Sequence, residues 1–216
     1  MWWSDEKMEF YIQAAVNSDF HKEIADLITP YIAKENKIHE LGCGLGFLVN
    51  ELTNRGYEIT GIDDDKNAIE KAEQLFPACH FSLHDAYSTA EAEISIAMFF
   101  GRIMQDDNFE KLISSCRKRL IYIANEHNRS ENPDFKKSKE IASFLEMQNV
   151  NFKYSTHKLS FNQVCRSKAE AEDFLLLTYK DKEKIDIIRS TDDAFPYLIP
   201  INKAFGLFVI DKEEKK

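Results

Sequence analysis

The sequence predicts an α/β fold, doubly wound about a mostly parallel sheet with helices on both faces, and three observations carry that prediction. From residue 37 to residue 125, short apolar runs alternate with stretches of helical spacing. The first of these runs, Ile38 to Leu41, meets three alternating glycines, Gly42, Gly44 and Gly46, and Phe47 to Thr53 then has helical spacing. The length is the third observation: 216 residues, 44% hydrophobic and 30% charged, suffice for one full core of this class and are short for two.

Residues 4–16 and 20–33 read as two helices broken at Asn17-Ser18-Asp19, where Ser18 or Asp19 caps the second. Phe20, Ile24, Leu27, Ile28 and Tyr31 give that helix an apolar face. Trp2 and Trp3 precede the first helix, a placement that implies docking onto a core, a partner or a substrate. Strands follow at 37–42, 57–62, 79–83, 94–100 and 119–125, with helices at about 46–54, 66–75, 86–91 and 107–117. Such alternation gives βαβ units with right-handed crossovers, and ligands sit at the C-terminal strand ends where the strand order reverses. Beyond residue 125 come a polar loop (126–133), a helix (134–148), an imperfectly alternating strand (151–161) and a helix near 168–179. A polar connection, a last apolar strand from Ala204 to Ile210 and a frayed tail at 212–216 complete the chain. With no repeats and no low-complexity linker, residues 1–216 are expected to form a single domain.

Composition narrows the function classes. The 28 basic and 37 acidic side chains leave a net charge of −9, which disfavours a nucleic-acid substrate because phosphate-tracking proteins draw affinity from Lys and Arg. The densest basic cluster, Lys111, Arg117, Lys118 and Arg119, reads as the solvated face and end of a helix. Cys43, Cys79, Cys116 and Cys165 form no CxxC pair, so neither a disulfide framework nor a zinc site is expected. His80 and His84 share a strand face at best, and no metal is expected there. No apolar run is long enough to span a membrane and Met1-Trp-Trp runs straight into charged residues, so a cytoplasmic protein is expected.

The glycine loop asks which ligand it serves. A dinucleotide turn wants G-x-G-x-x-G, but the third glycine's place is held by Phe47, which would crowd helix against strand. That disfavours an NAD-dependent oxidoreductase. A phosphate loop would need a following Gly-Lys-Ser/Thr, which is absent. Glu40, two residues ahead of Gly42, has no use for an anionic ligand and suits a cationic one. Glu40-Leu-Gly-Cys-Gly-Leu-Gly46 resembles motif I of the class I S-adenosylmethionine-dependent methyltransferases, acid-x-Gly-x-Gly-x-Gly. Tyr57-Glu-Ile-Thr-Gly-Ile-Asp63 followed by Asn67-Ala-Ile-Glu-Lys-Ala72 is similar to the second motif, and Phe81-Ser-Leu-His-Asp85-Ala86 to the third. The resemblance covers about residues 37–125 and implies a Rossmann-like, seven-stranded fold. It also implies an N-terminal helical cap at 1–35, a cofactor-binding half at 36–125 and a substrate-side half at 126–211.

The family's cofactor, S-adenosylmethionine, converted to S-adenosylhomocysteine, needs acceptors for its ribose, a polar contact for adenine and partners for its amino-acid end. The resemblance implies Asp63 on the ribose hydroxyls, Asp85 with Ala86 at the adenine edge, and Glu40 orienting the methionine end. Gly42 and Gly44, with Gly46, would leave room for that end. Asp64 and Asp65 read as an N-cap and first-turn acids of the next helix, Asp64 also facing the cofactor. At the fourth strand end, Met98-Phe99-Phe100-Gly101 departs from the Asn/Asp-Pro-Pro-Tyr/Phe of amide and base N-methylating relatives, which argues against those acceptors. Phe100 and Arg102 are pocket candidates there, Arg102 meeting an anionic substrate. Asn125, Glu126 and His127 form the other polar group, with His127 the candidate base. Tyr11 and Trp3 would close over the cofactor. Little chain remains for a substrate domain, so a small-molecule acceptor is expected, on a monomer or homodimer. An inactive cofactor-binding subunit is the alternative. The stretch from Ser190 to Pro200 would border the pocket or serve a dimer contact.

Overall fold

The computed structural model describes residues 3–126, 134–179 and 185–212. Two helices, α1 (Asp5–Val16) and α2 (Phe20–Ile28), precede β1 (Lys37–Leu41), α3 (Phe47–Asn54), β2 (Glu58–Asp63), α4 (Lys66–Leu75) and β3 (His80–Leu83). Then come β4 (Ala92–Met98), α5 (Asn108–Ser114), β5 (Cys116–Asn125), α6 (Lys136–Met147), β6 (Asn151–Ser160) and β7 (Gln163–Cys165). The chain finishes with α7 (Lys168–Thr178), β8 (Ile188–Arg189), β9 (Tyr197–Ile199) and β10 (Asn202–Asp211). Seven strands form one sheet in the order β3-β2-β1-β4-β5-β10-β6. The first five run parallel, and β10 inserts antiparallel between β5 and β6. The order reverses between β1 and β4, so their C-terminal ends diverge into a crevice.

Both faces of this sheet are covered, as its sequence demands. Along β5, Ile121 and Ile123 pack with Phe20, Ile24, Leu48 and Leu52 of α2 and α3. The alternate residues Leu120, Tyr122 and Ala124 pack with Leu112 of α5 and with Ile141 and Leu145 of α6. β10 repeats the division, Phe205 and Leu207 toward one face, Phe208 and Ile210 toward the other. A strand buried on both faces needs a continuous apolar run, and residues 204–210 supply one.

A smaller antiparallel sheet, in the order β7-β9-β8, lies beside α7. Phe10 of α1 joins Cys165, Ala171, Phe174, Leu175 and Ile199 in its core. The stretch expected to border a pocket or a dimer contact thus contributes β9, the middle strand of this sheet.

Three expected local features differ. No helix forms over 86–91: the Asp85 side chain accepts from the Tyr87 N–H at 3.0 Å, and its carbonyl accepts from Ser88 N–H, closing a turn instead. The second helix stops at Ile28, because Pro30 has no N–H and its ring blocks α-helical continuation; residues 29–31 form a 3-10 turn. Neither expected cap of that helix is made, since Asp19 makes no side-chain cap bond and the buried Ser18 hydroxyl has no partner. The basic cluster is largely paired with acids: Lys111 with Asp107, Lys118 with Glu93 and Arg119 with Asp211. No helix among the described residues is long and apolar enough to cross a membrane.

Candidate functional site

The glycine loop is built by β1 running out under the end of β2. The N–H groups of Gly42 and Cys43 both donate to the Ile62 carbonyl, at 2.8 and 3.0 Å. Gly42, Gly44 and Gly46 take left-handed φ values of 68°, 51° and 74°, which only glycine adopts without strain. Gly46 opens α3 as an N-cap with no side chain to offer. Glu40 compensates, its carboxylate accepting a hydrogen bond from the Val49 N–H in the first turn. Glu40 is 1% exposed, and its second oxygen, Oε2, has no hydrogen-bond partner. Burial, and then the nearby Asp63 charge, hold its pKa well above the ordinary carboxylate range.

Asp63 arrives at the C-terminal end of β2. One carboxylate oxygen accepts from the Gly44 N–H at 2.8 Å and the other from the Asp65 N–H at 2.9 Å. Each oxygen retains a lone pair for a further donor. Burial raises its pKa, against the lowering effect of those two N–H bonds. Asp65 caps α4, accepting from Asn67 and Ala68 N–H as an expected N-cap, while the helix has no acid in its first turn.

Around this loop opens a cleft of about 730 Å³. Of the expected site residues, Tyr11, Gly42, Gly44, Gly46, Asp63, Asp64 and Phe100 line it. Asp63, Asp64 and Asp65 line it, with Lys66 the one cation among the described lining residues, and the rest of the lining is rich in rings. Phe99 and Gly101, with φ of 57° and 70°, turn the chain sharply after β4 and bring Phe100 onto the loop.

The glycines do not simply leave room. A Cβ on Gly42 would stand 2.2 Å from the Phe100 ring, one on Gly44 3.0 Å from the Trp3 indole, and one on Gly46 2.4 Å from Phe81. The missing side chains are replaced by aromatic rings packed on the loop, so the open volume lies beside the loop. Glu40 is buried and does not line the cleft. Asp85 and Ala86 are also outside its lining: Asp85 is exposed and turns its carboxylate to the Tyr87 N–H, while Ala86 is buried in the opposite core. Arg102 is exposed, donates to Gln105 Oε1 at 3.4 Å and does not reach the cleft. Glu126 is buried at the start of α6, accepting from the N–H groups of Lys137 and Ser138 at 3.1 and 2.8 Å and from the Ser138 hydroxyl. It caps a helix whose own N-cap, Phe135, cannot. His127, expected as a base, lies outside the described residues.

The fold brings His21 into the lining. Its Nε2 is 2.9 Å from the Tyr11 hydroxyl, and its ring stacks on Phe47 at 5.2 Å. Burial pushes its pKa down to about 3, so it is neutral at neutral pH. Burial, and then the Glu40 charge, raise the pKa of Tyr11. Nothing local marks His21 as functional; its only sequence signal is a position three and four residues before Ile24 and Ala25, on the apolar face of α2. Cys43 is buried, and its thiol pKa is raised by burial and by Glu40 and Asp63, which suits a filler rather than a nucleophile.

The residues present fit a cationic nucleoside, with carboxylates for hydroxyl and ammonium donors and rings for a base. Residues 38–121 match the model of a family described as a methyltransferase domain. No curated protein matches the sequence. In structure, the chain is similar to a Thermoplasma acidophilum protein, with a TM-score of 0.58 at 13% identity, covering 98% of this chain and 100% of that one. A SAM-dependent methyltransferase from Archaeoglobus fulgidus gives a TM-score of 0.52 at 12% identity, covering 90% and 94%. The magnesium protoporphyrin IX methyltransferase of Synechocystis, solved with bound SAM, gives 0.52 at 12% identity, covering 94% and 82%. Identities this low speak for the fold. Residues 38–121 thus resemble a methyltransferase domain, and the chain as a whole shares the fold of these structures.

Proposed function

We propose that this protein transfers a methyl group from S-adenosylmethionine to a small-molecule acceptor. The observation that carries the reading is Asp63, fixed by two backbone N–H groups at the edge of an acid-lined cleft with lone pairs to spare. When bound, the cofactor supplies a methyl already activated by its sulfonium. Asp63 would accept from the ribose hydroxyls, and Asp64 would add negative charge toward the cation. Trp3, Tyr11 and Phe100 would exclude water and present ring faces, which attract positive charge. Phe100 and Trp3 lie on Gly42 and Gly44, so their rings would have to move for a methionine end to sit against those glycines. His21, pushed down to about 3, holds no proton to give at neutral pH and accepts one poorly. Among the described lining residues, the cleft therefore offers alignment and water exclusion.

The acceptor is read as small because only α1, α2, α7 and the three-stranded sheet supplement the common fold. Net charge of −9 and the paired basic cluster speak against nucleic acid. Thermal unfolding with S-adenosylhomocysteine, S-adenosylmethionine and NAD tests the donor. At 100 times Kd either sulfur ligand should add about 2.7 kcal/mol of stability, and NAD nothing. Absence of any shift with the sulfur ligands would overturn the proposal. Asp63→Asn should weaken S-adenosylhomocysteine at least ~tenfold in a calorimetric titration, one lost charged hydrogen bond being worth roughly 1.5–3 kcal/mol. Undiminished affinity would remove Asp63 from the site. Binding without methylation of any acceptor, small or large, would favour an inactive subunit.

A further inference from the structure

Phe100 is packed on the glycine loop by more than the tip of its ring. A Cβ built on Gly42 would lie 2.2 Å from its Cδ2, 2.5 Å from its Cγ and 2.9 Å from its Cβ, so the stem of the side chain also presses on Gly42. The indole on Gly44 differs, since it touches with one edge, Cζ2 nearest at 3.0 Å. A ring edge gives way by a small rotation. A stem does not, and uncovering Gly42 requires Phe100 to change rotamer or the turn that carries it to move. That turn is held under strain. Phe99 and Gly101, on either side of Phe100, both have left-handed φ, and a left-handed phenylalanine persists only where its surroundings impose it. The Phe99 N–H donates to the Ile123 carbonyl at 2.9 Å, and its ring meets Phe20 and Phe205 at centroid distances of 6.3 and 6.0 Å. Tyr87 holds the other end. Its ring packs on Phe100 at 5.2 Å between centroids, and its hydroxyl lies 2.7 Å from where a Cβ on Gly101 would stand.

We propose that Phe100 is a specificity-determining residue for the methyl donor: it covers the surface of Gly42 that the donor's amino-acid end needs, and that end binds only when the ring is displaced. The inference rests on the methyltransferase reading, which puts the methionine end at Gly42 and Gly44. It adds that this chain makes the amino-acid end compete with one of its own rings. Recognition of the adenosine end is separate, because Asp63 reaches the cleft from β2 and is fixed by the N–H groups of Gly44 and Asp65. A nucleoside without the amino-acid end therefore binds with Phe100 still on Gly42. A complete donor binds only the fraction of molecules in which Phe100 has left Gly42, and its apparent affinity is reduced by that fraction. Whatever affinity the amino-acid end contributes is thus partly offset by the packing of Phe100 on Gly42 and Tyr87.

The test is calorimetric titration of the full chain with two matched thioethers. S-adenosylhomocysteine carries the amino-acid end, and 5′-methylthioadenosine has a methyl group in its place on the same sulfur. Phe100→Ala should raise the preference for S-adenosylhomocysteine over 5′-methylthioadenosine at least about tenfold, the gain expected when the competent fraction rises from about a tenth or less to near one. Phe100→Leu, which keeps an apolar side chain on the turn, should raise it by less. Binding of 5′-methylthioadenosine by a variant also shows that its cleft is folded. A preference that is unchanged or reduced in a variant that binds 5′-methylthioadenosine would overturn the assignment. Loss of 5′-methylthioadenosine binding from both variants, with the wild type retaining it, would overturn it too, because Phe100 would then belong to the adenosine pocket. So would a wild type that binds S-adenosylhomocysteine but not 5′-methylthioadenosine. A wild type that binds neither thioether would instead overturn the methyltransferase reading itself, so the two failures are distinguishable.

Discussion

Glu40 shows how one residue serves both the fold and the site. Its carboxylate caps α3 because Gly46 has no side chain to do so, and its second oxygen is left buried without a partner. The folded state binds a proton at Glu40 more tightly than the unfolded chain does, so this residue lowers stability as pH rises above the unfolded carboxylate value. Glu40→Gln keeps an acceptor for Val49 and removes the buried charge. Its thermal midpoint should exceed that of the wild type at pH 8, and the gain should vanish by about pH 4. A gain that persisted in acid would contradict the assignment. His21 works in the opposite direction. With a folded value of about 3, it is protonated more readily in the unfolded chain, so stability falls as pH drops from about 6.5 toward 3. His21→Phe should flatten that slope in urea titrations between pH 4.5 and 7.5. At neutral pH it should cost roughly 1–3 kcal/mol, because the Tyr11 hydroxyl loses its partner. An unchanged acid slope would show that the titrating group lies elsewhere.

At the scale of elements, the loop between β1 and α3 is held by backbone conformation as much as by contacts. Gly46 and Gly56 both have positive φ, 74° and 80°, but their surroundings differ. An alanine Cβ at position 46 would meet Phe81 at 2.4 Å, whereas at position 56 the nearest group is the flexible Lys34 Nζ at 3.7 Å. Both substitutions pay the left-handed penalty of about 1–2 kcal/mol. Gly46→Ala should cost at least ~1 kcal/mol more than Gly56→Ala in denaturant unfolding, from displacement of packed atoms. Equal costs would mean that Phe81 yields freely. The elements of this region were the most legible in the sequence. β1, α3, β2 and α4 fall within about a residue of expectation, since each depends on local periodicity and on turn residues beside it. The expected helix at 86–91 failed because a single Asx turn at Asp85 outweighs short-range helical spacing. The strands β7, β8 and β9 are two or three residues long, too short for any period to declare itself.

For the molecule as a whole, the C-terminal strand is the keystone of the large sheet. β10 pairs with β5 on one side and β6 on the other, and it places Phe205, Leu207, Phe208, Val209 and Ile210 in the core. At about 1.5–3 kcal/mol each, these five burials approach the total stability of an ordinary domain. A chain ending at residue 201 should therefore show no cooperative unfolding transition by circular dichroism. A cooperative melt in that variant would mean that the parallel half folds by itself. The same topology explains the site. Reversal of strand order between β1 and β4 opens the crevice, and the N-terminal helices close over it with Trp3, Tyr11 and His21.

By itself, the sequence determined the parallel half of the sheet and the acids around the glycine loop, because strand ends, glycine spacing and alternation are local properties of the chain. Asp63 and Asp64 reach the cleft for that reason: each lies within one residue of an element boundary that periodicity reveals. Only the tertiary structure decided that Asp85, Ala86 and Arg102 stay outside, that Glu40 is buried, and that His21 enters from a helix distant in sequence. It alone laid Phe100, from the turn after β4, on Gly42 at the end of β1. Such meetings depend on how helices and edge strands pack, and packing joins residues whose separation in sequence carries no periodic signal.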